Sequence, residues 1–146
     1  MEKHVLQVVK GLPGDRYDCK IITFINGKTE ITTQLADLGI PIFNIQYNRA
    51  FSFRGVTKAI QLYKLLKTER PDIVETFHHS ADTFGVLVAK LAGAKNIISN
   101  KRDLAQYKTR LQRMMSKFIN NFITHYFAVC ENIAKKISAD ENIPLN

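Results

Sequence analysis

The chain has 146 residues, of which 45% are hydrophobic and 23% charged, and it carries a formal net charge of +8. That length suits one ordinary domain with one core, and the composition excludes a disordered tail or a disulfide scaffold. No apolar run reaches the ~18 residues of a spanning helix and no basic patch leads into an apolar signal core, so a cytoplasmic protein is expected, with a basic surface that attracts phosphates.

Along the chain, apolar residues switch between short β-rich runs and longer helical stretches, the pattern of βαβ units around a parallel sheet. The first helix takes its apolar face from Val5, Leu6, Val8, Val9 and Leu12 and ends at Gly14 and Asp15. A strand is predicted over 19–25. Thr29 or Thr32 caps a second helix, which carries Ile31, Leu35 and Leu38 and stops at Gly39 before Pro41. A second strand over 42–46 leads into a basic and aromatic loop over 47–55, holding Arg49, Phe51, Phe53 and Arg54. Val56, Ile60, Leu62, Tyr63, Leu65 and Leu66 line a third helix, which Pro71 stops. After a third strand over 72–76, Ser80 caps a fourth helix with Phe84, Leu87, Val88 and Leu91 on one face, ended by Gly93. A fourth strand over 96–99, a long fifth helix over 104–124, a fifth strand over 126–130 and a sixth helix from Glu131 to about Ala139 complete the order.

This is an open, doubly wound α/β sheet with one strand short. The usual order places a first strand and its tight glycine turn between the strands at 19–25 and 72–76, whereas this chain opens in a helix. An unfilled gap would leave buried backbone groups unpaired at about 1–3 kcal/mol each. Either a partner strand fills it or Met1 is not the true start of the domain. Cys19 and Cys130 sit in apolar stretches without CxxC spacing or nearby histidines, and are expected as small core residues in a reducing compartment.

Five segments in register resemble the N-terminal domain of the family-4 glycosyltransferases. They are Met1-Glu2-Lys3-His4-Val5-Leu6, Leu38-Gly39-Ile40-Pro41-Ile42, Arg70-Pro71-Asp72-Ile73-Val74, Ala89-Lys90-Leu91-Ala92-Gly93-Ala94 and Ala128-Val129-Cys130-Glu131-Asn132-Ile133. Glu141-Asn142-Ile143-Pro144 is similar to the stretch before that family's linker into its second domain. The resemblance implies a Rossmann-like domain of the GT-B architecture, with 1–146 as a partial acceptor-side domain that lacks its first strand. The nucleotide-sugar-binding half would lie beyond it, so the isolated chain is expected to be inactive. It further implies transfer from a nucleotide-diphosphate sugar to a hydroxyl of a glycan or lipid-linked acceptor, in polysaccharide biosynthesis and with retention. Glu2, as a remnant of the glycine turn, and Cys130 with Glu131 are the implied donor-side residues.

Loops that follow the strands of such a sheet gather at its carboxyl edge, where ligands bind. His78 and His79 lie there, and imidazole can take a proton from an acceptor hydroxyl near neutral pH. In the plainest alignment the family's usual histidine falls on Phe77, and a retaining member can pass the proton to the leaving phosphate instead. Ser99-Asn100-Lys101-Arg102-Asp103 resembles the Ser-Ser-Arg-Arg-Asp segment of one branch of the family. Ser99, Lys101 and Arg102, with Arg49 and Arg54, are the candidate acceptor contacts, since cations at a strand end suit a phosphate or anionic sugar. The competing reading is a solvated turn in which Asp103 caps the next helix, with one histidine bonded to its own turn. His4 and His125 are read as structural.

The fifth helix repeats Leu104, Tyr107, Leu111, Met114, Met115, Phe118, Ile119, Phe122 and Ile123 at helical spacing, with Lys108, Arg110, Arg113 and Lys117 between them. Core packing is the favoured reading, and contact with an anionic membrane surface is the sharper one. The two are compatible on different faces. No Asp-x-Asp or ligand cluster is present, so neither metal nor cofactor is expected beyond the nucleotide-sugar donor. The alternative functions are a basic nucleic-acid-binding module, which would need a recognition motif the sequence lacks, and another GT-B-type nucleotide-sugar enzyme such as an epimerase.

Overall fold

The computed structural model describes residues 2–24, 29–45, 53–78, 81–102, 109–141 and 143, with the side chains of Glu2, Phe53 and Arg54 left out. The chain divides into two compact units, Met1–Lys58 and Ala59–Asn146.

The first unit holds α1 (Glu2–Gly11), β1 (Ile21–Thr23), α2 (Glu30–Asp37) and β2 (Ile42–Asn44). β1 and β2 pair in parallel, Ile21 opposite Ile42 and Thr23 opposite Asn44. Leu6, Leu35 and Ile45 are its buried apolar residues. Both threonines considered as caps act together at the start of α2. The Thr29 side chain accepts from the Thr32 N–H, and the Thr32 hydroxyl oxygen accepts from the Thr29 N–H, a capping box built without a glutamate. Gly39, at φ 73°, ends the helix, with its own N–H on the Ala36 carbonyl and that of Ile40 on the Leu35 carbonyl. Only a residue free of a Cβ takes that left-handed backbone without strain.

The helix α3 (Phe53–Glu69) begins in the first unit and ends in the second. It starts before the position expected from sequence, so Phe53, Arg54 and Gly55 are helical rather than part of a loop. A single glycine in the first turn of 17 residues costs only about 1 kcal/mol against alanine, too little to stop the helix. Arg70 closes it at φ 45°, since Pro71 bars the right-handed helical backbone for the residue before it.

In the second unit, β3 (Ile73–Thr76), β4 (Asn96–Lys101) and β5 (His125–Ala128) form a parallel sheet in that order. Among the described residues no ladder joins it to the β1–β2 pair. Between β3 and β4 the chain makes a π-helical turn (Ala81–Gly85) running into α4 (Val86–Ala92). Val86, Val88, Ala89 and Ile97 are buried in this layer.

The helix α5 spans Arg110–Asn120 and ends before the expected 124, while positions 104–108 of the predicted helix lie outside the described residues. Thr109 and Gln112 form a second capping box at its start. At its far end Thr124 is taken up by the sheet, with its N–H and its hydroxyl both on the Ile97 carbonyl. A final helix, α6 (Glu131–Glu141), packs Ile133 and Ile137 with Ile143 against Tyr126. Cys130 is exposed, contrary to its expected place in the core, because it lies in the bend between β5 and α6. Cys19 is half-buried, and that burial, with Asp18 beside it, pushes its thiol pKa up.

Candidate functional site

The carboxyl ends of β3, β4 and β5 meet at one edge of the second unit, and the two-residue alternation of β4 sorts the candidate residues to opposite faces. Ser99 and Lys101 point to one side; Asn100 and then Arg102 belong to the other.

On the first face lies a buried polar cluster centred on Asp82, from the π-helical turn. Its Oδ1 accepts from Ser99 Oγ at 2.8 Å and from Thr76 Oγ1 at 2.6 Å, and its Oδ2 accepts from Lys101 Nζ at 2.9 Å. The Thr76 hydroxyl also lies 3.2 Å from the Ile98 carbonyl oxygen, but it has one proton and the shorter bond claims it. Lys101 Nζ stands 3.4 Å from Glu141 Oε2 and 5.7 Å from the centre of the Tyr126 ring. Asn120 Nδ2 donates to Glu141 Oε2 at 3.3 Å, and the Tyr126 hydroxyl donates to the Asn120 carbonyl at 3.0 Å. Burial, then the carboxylates of Glu141 and Asp82, push the Tyr126 phenol well above its ordinary pKa, so it stays a donor.

Asp82, Lys101 and Glu141 are each less than a tenth exposed. A buried ion pair adds little net stability, but removing one partner leaves an uncompensated charge at a cost of about 3–5 kcal/mol. The cluster thus ties the π-helical turn, β3, β4, α5 and α6 into one arrangement.

On the second face Asn100 Nδ2 donates to Glu75 Oε1 at 2.7 Å and to the Thr76 carbonyl at 3.3 Å. Arg102 follows, partly exposed, and its Nη1 is shielded from solvent with no hydrogen-bond partner among the described residues. Guanidinium N–H groups in that condition are rare, because the lost hydration is not replaced. Alongside, the Val129 N–H donates to the Lys101 carbonyl at 3.3 Å, which brings Cys130 and Glu131, the exposed start of α6, to the same edge. His78, exposed after β3, accepts the Asp82 N–H on its carbonyl at 2.8 Å.

Of the residues predicted from sequence, His78, Arg102, Cys130 and Glu131 therefore gather at the edge, while Ser99 and Lys101 turn inward onto Asp82, closed to solvent. Glu131 bonds its helix neighbour Lys135. Glu2 and Arg54 lie in α1 and α3 of the first unit, and His79 and Arg49 fall outside the described residues. His125 is the first residue of β5, one position ahead of the predicted strand. Sequence reasoning missed Asp82 and Glu141. An acid in the run 81–89, which is apolar apart from Asp82 and Thr83, was a signal for the first, whereas nothing local marks Glu141 as buried.

Among the described residues no group of three or more His, Cys, Asp and Glu is placed to hold a metal, and no helix is long and apolar enough to cross a membrane. An open cleft lined by Lys67, Arg70, Pro71 and Lys95 lies at the opposite, amino edge of this sheet and shares no residue with the cluster.

Compared with known proteins, residues 1–145 match the model for Glycosyltransferase Family 4. The chain is 29% identical over 126 residues to the UDP-Gal:alpha-D-GlcNAc-diphosphoundecaprenol alpha-1,3-galactosyltransferase of Escherichia coli. That match covers 86% of this chain and 32% of the relative, so the chain spans about a third of the length of the curated protein it matches.

Proposed function

We propose, because the chain belongs to Glycosyltransferase Family 4, that it forms the acceptor side of an enzyme moving a hexose from a nucleotide-diphosphate sugar to a hydroxyl of a lipid-diphosphate-linked acceptor. The observation that carries this reading is Arg102, whose shielded Nη1 lacks a partner at the carboxyl edge of the sheet. A guanidinium forks onto phosphate oxygens with two parallel N–H bonds, and a diphosphate supplies those oxygens. The galactosyltransferase relative supports the choice of anion, since its acceptor is by name a diphosphoundecaprenol-linked sugar.

In this reading Ser99 and Lys101 position Asp82 and the turn after β3 rather than touch acceptor. Lys101 already spends its charge on Asp82 and Glu141, so among the described residues the cationic capacity left at the edge belongs to Arg102. Cys130 and Glu131, at the start of α6, face the donor, whose binding half lies outside these residues. That division accords with the share of the relative the chain covers. The site works on the cytoplasmic side, where nucleotide sugars are made.

The reaction breaks the bond between the anomeric carbon and the leaving phosphate oxygen and forms one from the acceptor oxygen to the same carbon. Nucleoside-diphosphate hexoses of this kind are α-glycosides and the relative's product is α-linked, which favours retention. The acceptor proton then passes to the leaving phosphate on the same face, and His78 need only orient the acceptor.

In the full-length enzyme, Arg102→Ala should raise the acceptor KM about 10- to 100-fold, the loss of a charge-assisted hydrogen bond, with the donor KM unchanged. Arg102→Lys should recover part of it. A shift in the donor KM with the acceptor KM intact would take Arg102 out of the acceptor site. His78→Ala should slow transfer by less than about tenfold, whereas a fall of about 10²–10⁴ would make His78 the general base.

A further inference from the structure

The helix α5 presents two outward stripes that the cluster and the core do not use. Leu111, Met114 and Phe118 recur one helical turn apart and are 66%, 69% and 59% exposed. Phe122 meets Phe118 edge to face, ring centroids 5.2 Å apart, and lengthens the stripe. At 100° per residue, Arg110, Arg113 and Lys117 form a second stripe immediately beside the first, and α5 contains no acidic residue. The inward face is complete without either, since Ser116 and Ile119 are buried and Asn120 is bonded to Glu141 of α6.

Three large apolar side chains in a row, flanked along one border by three cations, are not what a solvated helix face requires. We propose that this face of α5 docks on an anionic lipid surface. Leu111, Met114 and Phe118 enter the boundary between headgroups and acyl chains, while Arg110, Arg113 and Lys117 lie level with lipid phosphates. The arrangement is that of a helix lying in the plane of the interface, where apolar burial and attraction to anionic lipid add. The unbalanced positive charge selects a lipid over a protein partner, because a protein groove that took this stripe would also have to supply a row of acids. The choice of lipid surface rests in part on the reading of a lipid-linked acceptor, which has to be reached at such a surface.

The test is co-sedimentation of the purified 146-residue chain with vesicles of phosphatidylcholine alone and with about a third phosphatidylglycerol. No acceptor lipid is present, so the result is independent of acceptor recognition by Arg102. The chain should bind the anionic vesicles and lose them with added salt. Replacing Arg113 and Lys117 together by Gln should lower partitioning about 25-fold, from roughly fivefold per basic residue. Met114→Ser with Phe118→Ser should lower it about tenfold or more. Leu91→Ser, an equally exposed apolar residue on α4, serves as control and should change nothing. Equal binding by the α5 variants and the parent overturns the proposal, as does binding to neutral vesicles alone. So does a dimer in sedimentation velocity that Phe118→Ser dissolves while vesicle binding stays intact. In the full-length enzyme, α5 variants should slow transfer to vesicle-borne acceptor and spare a soluble short-chain one. Equal loss on both means the stripe seats another part of the enzyme, and the proposal fails while the acceptor reading stands.

Discussion

The end of β4 and the outer face of α5 are both rich in cations, yet they treat charge in opposite ways. At β4, Lys101 is less than a tenth exposed, held between Asp82 and Glu141. On α5, Arg110, Arg113 and Lys117 stand beside exposed leucine, methionine and phenylalanine with no acid on the helix. The difference teaches that the net charge of +8 is two quantities, one neutralised inside and serving order, the other outside and able to act at a distance. Lys101 and Arg102 repeat the contrast across one peptide bond, because a strand sends neighbouring side chains to opposite faces.

Substitutions that treat the two regions alike should separate them, beginning with the buried one. Asp82→Ala leaves the Lys101 ammonium with Glu141 alone and the Thr76 and Ser99 hydroxyls without their shared acceptor, and urea unfolding should show a loss of about 3–5 kcal/mol. A loss below about 1 kcal/mol for Asp82→Ala would mean the cluster is hydrated and the comparison void. Next in size, Thr109→Ala removes the capping box of α5 and should cost about 1 kcal/mol, which tests whether the outer helix depends on its own cap. In alkali, Tyr126 sharpens the inner side of the contrast. Its phenol is raised in the folded state, so the stability it contributes is full below the ordinary tyrosine pKa and is lost as pH rises past it. Tyr126→Phe should make the loss of stability above about pH 10 shallower. Smallest of all, Met114→Ser on the exposed stripe should move unfolding stability by no more than about 0.5 kcal/mol, although it weakens vesicle binding.

Much of the fold was legible in local pattern. Thr29 with Thr32, Gly39, Gly93 and Pro71 mark helix ends by rules that need only a few neighbouring residues, and the structure uses all of them. Boundaries moved where another element laid claim to a residue. The helix expected to run to 124 ends at Asn120 because Thr124 is bonded to Ile97 of β4, a partner 27 positions away. The π-helical turn over Ala81–Gly85 escaped notice for a similar reason. Nothing in Ala81-Asp82-Thr83-Phe84 announces a wider turn, whereas Thr76, Ser99 and Lys101 converge on Asp82 once the strands are aligned.

The site was legible as a location more than as a set of contacts. Reading Ser99-Asn100-Lys101-Arg102 as the segment that follows a strand over 96–99 placed it at the carboxyl edge, but β4 runs on to Lys101, and the face of each side chain depended on register with β3 and β5. Ser99 thereby moved from candidate contact to buried support, and Arg102 alone of the segment kept a guanidinium nitrogen without a partner among the described residues.

The sequence by itself determined the order of strands and helices, their parallel α/β class and the family, because capping, periodicity and motif spacing are local properties of the chain. Only the tertiary structure decided that Lys101 is spent on Asp82 and Glu141 and that Leu111, Met114 and Phe118 stay outside. Both outcomes follow from which distant elements pack together, and an amphipathic helix with apolar residues on more than one face does not say which of them the core will take.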